Sequence, residues 1–299
     1  MKLFVFLGEE PIGDVYLQFR RGRLTSTFEY AREYVVRRGA YSIDPGLPLS
    51  TGNWPVSGTL PRAFLDAAPD RWDVMAWEKT ALDLAEQAGI EVPARQLLDV
   101  GGQSVLLVDR FDRTGDGQRV GYMSTLTLCA ADDGDHRDYL EVAEHLAVVS
   151  AAPEKDLAQL WRRILFGLGI NNTDDHLRNH GLLRTGPGWR LSPAFDLNPN
   201  PRVGAAHATS IGGVDGGVEA VTALMTAARL FGLTTAGATR VVSEVAQAVA
   251  GWRTIASRNG LRPAELPRFE AVFGAGLSWL EGVAAHTRSA GSPGSGQRP

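Results

Sequence analysis

Cysteine is almost missing: Cys129 is the single one in 299 residues, so the chain can form no internal disulfide. Lysine is scarce too, found only at positions 2, 79 and 155, although arginine is abundant. Any role that needs a compact ammonium group therefore has few candidates. No apolar run approaches the length of a membrane-spanning helix, and residues 1–7 are apolar for too few positions before Glu9 and Glu10 to read as a signal peptide. An excess of one charge is also lacking. A net charge of −4 and a pI near 5.9 point to no broad nucleic-acid or anionic-membrane surface. These absences predict a cytoplasmic protein without membrane attachment. No internal repeat is visible.

What is present can bury a large core, as one bilobed body or two domains. Short apolar runs at 2–7, 14–20 and 25–30, and a shorter one at 34–36, predict a β-rich opening, followed by a loop-rich stretch at 44–58. From Asp73 the period changes: Val74, Trp77, Ala81, Leu84 and Ala88 recur at helical spacing, with Asp73 as N-cap and Gly89 just past the end. Residues 95–100 and 103–109 flank Gly101 and Gly102, a pair suited to a tight hairpin. Helices are predicted at 138–149, 155–170, 218–230, 235–256 and 265–284, with a disordered tail at 289–299. Trp161, Ile164, Leu165 and Leu168 form a stripe that reads as core.

Between the helix at 155–170 and a predicted hairpin (strands 180–183 and 189–191) lies the most informative stretch. Asp174 is followed five residues later by Asn179, and Asp196 comes after the hairpin. Protein kinases use the spacing Asp-x-x-x-x-Asn for a base that accepts the substrate hydroxyl proton and an amide that holds magnesium, with a later Asp as second ligand. The spacing selects Asp174 over Asp175, because the fifth residue after Asp175 is His180, a poor ligand for a hard cation. Asp and Asn after a helix also serve as cap and turn residues, so spacing alone leaves that reading open. Likewise Glu78 reads as a solvated helix charge, Phe111 as core, and Asp109 as a cap or a partner of Arg110 or Arg113. Asp135 and His136 suggest a metal site, but no second histidine stands at ligand spacing nearby.

The run WRRILFGLGINNTDDHLRNHGLL, ending at Leu183, and the run GWRLSPAFDLNPNP, ending at Pro201, resemble the C-terminal domain of the HipA family. These are serine/threonine kinases, the toxins of type II toxin-antitoxin pairs. Residues 72–93, with Trp77 and Glu78, 108–113 and DDGDHRDYL at 132–140 resemble further family segments, and residues 1–72, including LPRAFLDAAPDRW, resemble the family's small β-rich subdomain. The resemblance implies an α+β, bilobed, kinase-like (HipA-like) fold. It divides the chain into a β-rich N-terminal part at 1–72, a small-lobe remnant and hinge at 73–137, a mainly helical lobe at 138–288 and a tail at 289–299.

By the same resemblance Asp174 is the catalytic base, Asn179 and Asp196 hold Mg2+, and Asp109 and Phe111 line the ATP site, with His176 and Glu78 in support. Asp109 departs from the family's usual Glu. The partners implied are a protein substrate and a helix-turn-helix antitoxin, with DNA met only through that antitoxin. One departure is larger: the family's glycine-rich loop and its ATP-gripping lysine fall in a segment that is missing between Trp72 and Asp73. Two readings follow, a protein kinase of reduced activity or a degenerate kinase fold that binds an antitoxin or paralogue.

Overall fold

The computed structural model of the chain describes residues 2–7, 10–20, 23–42, 47–55, 72–100, 103–132 and 134–290. The turns expected at Gly8 and at Gly101–Gly102, residues 60–71 of the family-like opening and residues 291–299 of the tail lie outside them. The chain divides into two compact units, residues 1–72 with 115–117, and residues 73–114 with 118–299.

The first unit is built on a four-stranded antiparallel sheet in the order β1-β2-β3-β4, with β1 at Lys2–Leu7, β2 at Glu10–Arg20, β3 at Arg23–Tyr30 and β4 at Asn53–Pro55. Gly13 is required where β2 meets β3, because a Cβ there would lie 2.7 Å from the Phe28 ring and run into the carbonyl of Glu29. Ile12, Val15, Phe28, Tyr30 and Tyr34 form its core. The run at 34–36, predicted extended, instead belongs to the one-turn helix α1, Arg32–Val35. Helical backbone carries the Tyr34 ring into the core, stacked 5.9 Å from Tyr30, where its hydroxyl donates to the carbonyl of Tyr41 at 3.0 Å. Strand β4 lies within the stretch read as loop.

The second unit opens with α2, Val74–Gln87, and the Asp73 cap holds as predicted: its Oδ1 accepts the Ala76 amide at 3.0 Å. Trp77 fixes this helix by stacking at 3.8 Å on Phe269 and packing near Trp252 and Phe273. Burying such rings is among the largest favourable contributions in any core. The hairpin β5 (Arg95–Val100) and β6 (Gln103–Val108) follows, then β7 (Tyr122–Ser124), α3 (Thr125–Leu128), β8 (Arg137–Asp138) and α4 (Tyr139–Val149). Helix α5, Pro153–Gly169, buries the stripe of Trp161, Ile164, Leu165 and Leu168. Strands β9 (Gly181–Thr185) and β10 (Gly188–Leu191) make the expected hairpin, and β7 joins it as a third strand.

Asp156 on α5 clamps that hairpin. This carboxylate is 2% exposed and accepts from Ser150 Oγ at 2.6 Å, Arg190 Nε at 3.0 Å and the Leu191 amide at 3.1 Å. Beyond it, β11 (Thr209–Ser210) pairs with β8, and α6 (Gly217–Thr226) passes into a 3-10 turn at Ala227–Phe231. The helix predicted at 235–256 is two, α7 (Thr235–Ala250) and α8 (Trp252–Arg258), broken at Gly251. The last helix, α9, spans Leu266–Ala290 and so runs past the residue at which the tail was placed.

Candidate active site

The chain leaves α5 through Asn171, whose φ of 57° is left-handed. Asparagine tolerates that conformation better than most residues, and here its side chain locks it: Nδ2 donates to the carbonyls of Asn200 at 2.6 Å and Arg202 at 3.0 Å. The return bonds run from the Asn200 amide to the Asn171 carbonyl at 3.0 Å and from the Asn198 amide to Asn172 Oδ1 at 3.2 Å. Asn200 Nδ2 also donates to Thr173 Oγ1 at 2.7 Å. The start of loop 171–180, Asn171 to Thr173, is thereby joined to Asn198, Asn200 and Arg202 in the segment after β10. On the loop's other side, Thr125 donates its hydroxyl to the Leu177 carbonyl at 2.7 Å.

The two adjacent aspartates have opposite environments. Asp175 is 6% exposed and accepts from Tyr139 Oη at 2.5 Å, with His180 Nε2 at 3.0 Å. Burial alone would raise its pKa, but the charge and hydrogen bond of His180, the Tyr139 hydroxyl and the field of His207 outweigh it, so the carboxyl sits below the usual value. The Tyr139 phenol is pushed well above its ordinary value by burial and by Asp175, and burial pulls His207 down. Asp174, by contrast, is exposed. One aspartate anchors the loop, and the other is presented to solvent.

Asn179 is 7% exposed, and its Nδ2 donates to the Asp174 carbonyl at 3.3 Å. With its nitrogen so engaged, the amide offers its oxygen elsewhere. Asp196 stands at a left-handed φ of 55°, and its Oδ1 accepts from Asn198 Nδ2 at 2.9 Å. An uncommon backbone conformation of this kind persists only where the surroundings over-determine it. A carboxylate and an amide oxygen are hard donors, and Mg2+ takes one or two protein oxygens while the rest come from water and phosphate. In donor chemistry each of the two residues suits that ion.

Asp196 also lines a cleft of about 590 Å³ together with Glu78, Asp109 and Phe111, three residues singled out from sequence, and with Val108, Arg110, Asp112, Tyr122 and Phe195. Phe111 packs near two other rings, 5.4 Å from Phe195 and 6.4 Å from Tyr122. The Asp109 amide donates to the Ala94 carbonyl at 2.8 Å, which pins the end of β6. Arg110 and Arg113 both pair with Asp112 at 2.6 Å. Those hydrogen bonds, above all from Arg110, draw the Asp112 pKa down. Asp174, His176 and Asn179 belong to the loop instead, where the His176 amide donates to the Asp174 carbonyl at 2.9 Å. His176 Nδ1 is buried without a hydrogen-bond partner among the described residues.

Sequence reasoning missed Tyr139, His207, Tyr122 and Phe195. Phe195 had a legible signal, an aromatic residue directly before the metal-binding candidate. The others reach the site across gaps in sequence that no local pattern records.

The family model described as HipA-like C-terminal domain matches residues 61–252. Among curated proteins, the chain is 26% identical over 132 residues to "Putative kinase Y4mE" of Sinorhizobium fredii, covering 40% of this chain and 31% of that protein. It is 28% identical over 163 residues to "Putative kinase Y4dM" of the same organism, covering 49% and 37%. The chain thus spans about a third of the length of these relatives. Its fold is similar to HipA of Shewanella oneidensis, solved with HipB and operator DNA (TM-score 0.55, 15% identity, 95% of this chain and 98% of that one). It is equally similar to the proinflammatory kinase CtkA of Helicobacter pylori (TM-score 0.55, 10% identity, 94% and 93%). The fold is α+β and kinase-like.

Proposed function

Because the chain belongs to the HipA-like C-terminal domain family, we propose that it is a protein serine/threonine kinase that moves the γ-phosphate of ATP to a protein hydroxyl. The observation that carries this reading is the cleft in which Glu78, Asp109, Phe111 and Asp196 meet from distant parts of the sequence. Phe111, Phe195 and Tyr122 give it an aromatic wall suited to a purine. Asn179 and Asp196 would hold Mg2+, which when bound neutralises phosphate charge and polarises the transferring group. Asp174, exposed on a loop fixed by Asp175, accepts the proton of the attacking hydroxyl. Such catalysis is mostly positioning plus electrostatics, which the stitched loop is suited to provide.

The same reading extends to a partner. The HipA of Shewanella was solved with HipB and operator DNA, and this chain would meet DNA only through a helix-turn-helix antitoxin of that kind.

A specific observation also favours the binding-module reading. Lys79 is held at 2.6 Å by Asp83 and Lys155 at 2.7 Å by Glu91, so neither ammonium is positioned to grip phosphate. Loss of one electrostatic donor costs on the order of 10² to 10³ in rate. Radiolabel transfer from γ-labelled ATP to protein, by the native chain and by Asp174→Ala, separates the two. Transfer that disappears in the variant supports the kinase; Mg2+-dependent ATP binding without transfer supports the binding module.

A further inference from the structure

Away from the cleft, three side chains of different donor type come together where α3 ends against α4. Cys129 is the C-terminal cap residue of α3, and Glu141 and His145 stand one helical turn apart on α4. One ligand atom from each, thiol, carboxylate oxygen and imidazole nitrogen, lies within 4.8 Å of the other two. No other such group of three occurs among the described residues. We propose that Cys129, Glu141 and His145 form a binding site for a borderline-soft divalent cation of the zinc class, with one position left open.

The chemistry of the donors selects the ion. A thiolate and an imidazole suit Zn2+ and Co2+ and are poor ligands for Mg2+ or Ca2+, so this site does not compete for the cation of the kinase cleft. Tetrahedral bonds of about 2.0–2.3 Å set donors roughly 3.3–3.8 Å apart. The observed spread therefore needs only a modest contraction. The residues that must move are able to: His145 is exposed and Glu141 half-buried, while Cys129 is held by its own amide, which donates to the Thr125 carbonyl at 2.9 Å. Arg137 Nη1 donates to Glu141 Oε1 at 3.1 Å and also pairs with Asp135. A ligating carboxylate that is itself hydrogen-bonded is the usual outer-shell arrangement, and it leaves lone pairs for a metal. The bound ion clamps the end of α3 to α4, and α3 carries the Thr125 hydrogen bond to the loop of Asp174.

Because Cys129 is the single cysteine, a thiolate-to-metal charge-transfer band can come from nowhere else. The full chain is titrated with Co2+ and the near-ultraviolet absorption followed. The expected result is one equivalent bound with a thiolate band, abolished in Cys129→Ser and weakened about tenfold or more in His145→Ala. His145→Ala alters an exposed side chain, so it stays informative if the buried serine variant fails to fold. Co2+ uptake without the band, or a titration unchanged by His145→Ala, overturns the proposal.

Discussion

Asp174 and Asp175 share a peptide bond and little else. Replacing Asp175 by alanine strands the Tyr139 hydroxyl and His180 in the core, and should cost on the order of 3 kcal/mol. Asp174→Ala touches an exposed side chain and should shift stability by less than about 0.5 kcal/mol. Urea unfolding of the two variants checks both figures, and transfer assays on the same samples should show that the stable one is inactive. The same cluster gives a pH dependence. His207 and Asp175 both have depressed folded pKa values, so the unfolded chain binds more protons and stability rises with pH through each window. His207's share is complete above its ordinary 6.5 and is lost as pH falls below it; Asp175's is lost as pH falls from its ordinary 3.8 through the lower folded value. The urea midpoint should therefore be lower at about pH 5 than at about pH 7.5, and less so in His207→Gln. Local spacing singled out Asp174 as the candidate base, because a loop motif is written in consecutive residues. Tyr139, 36 residues away along the chain, was not, because sequence pattern carries no record of which distant side chain a buried carboxylate will find.

Secondary elements followed their periodicity wherever one face is buried. Helix α2 and the β5–β6 hairpin lie where apolar spacing and turn residues placed them, and α5 begins at Pro153 rather than Lys155. Misses came where short-range pattern was outweighed. The α7–α8 break at Gly251 interrupts an uninterrupted apolar pattern, and three-residue β7 exists because β9 offers it a partner. Close helix packing was also invisible. Helices α5 and α9 meet almost backbone to backbone, since a Cβ on Gly276 would run into the carbonyl of Gly169, with the carbonyl carbon at 2.8 Å. Gly276→Ala should destabilise by about 1–3 kcal/mol, although alanine is the better helix former. A rise in thermal midpoint would show that these helices can part without cost.

At the scale of the whole chain, the candidate site is assembled from separated segments. The cleft draws on α2, on the stretch after β6 and on the residues after β10, while α5 and the hairpin clamped by Asp156 fix where that last segment runs. Fold class was readable, and Glu78, Asp109 and Asp196 of the cleft lining were singled out, because the segments that carry them hold family-like residues. The aromatic wall was not, because it forms only when Phe111, Tyr122 and Phe195 are brought together by three different elements. The scarcity of lysine, legible at once, acquires meaning from Lys79 and Lys155 being paired to carboxylates. Calorimetric titration of the full chain with ATP, with and without Mg2+ and repeated on Asp196→Ala, is the most direct test. Mg2+-dependent nucleotide binding that is lost in Asp196→Ala is the expected result. No binding at millimolar ATP, or binding that neither Mg2+ nor Asp196→Ala alters, would contradict the magnesium-nucleotide site proposed for Asn179 and Asp196.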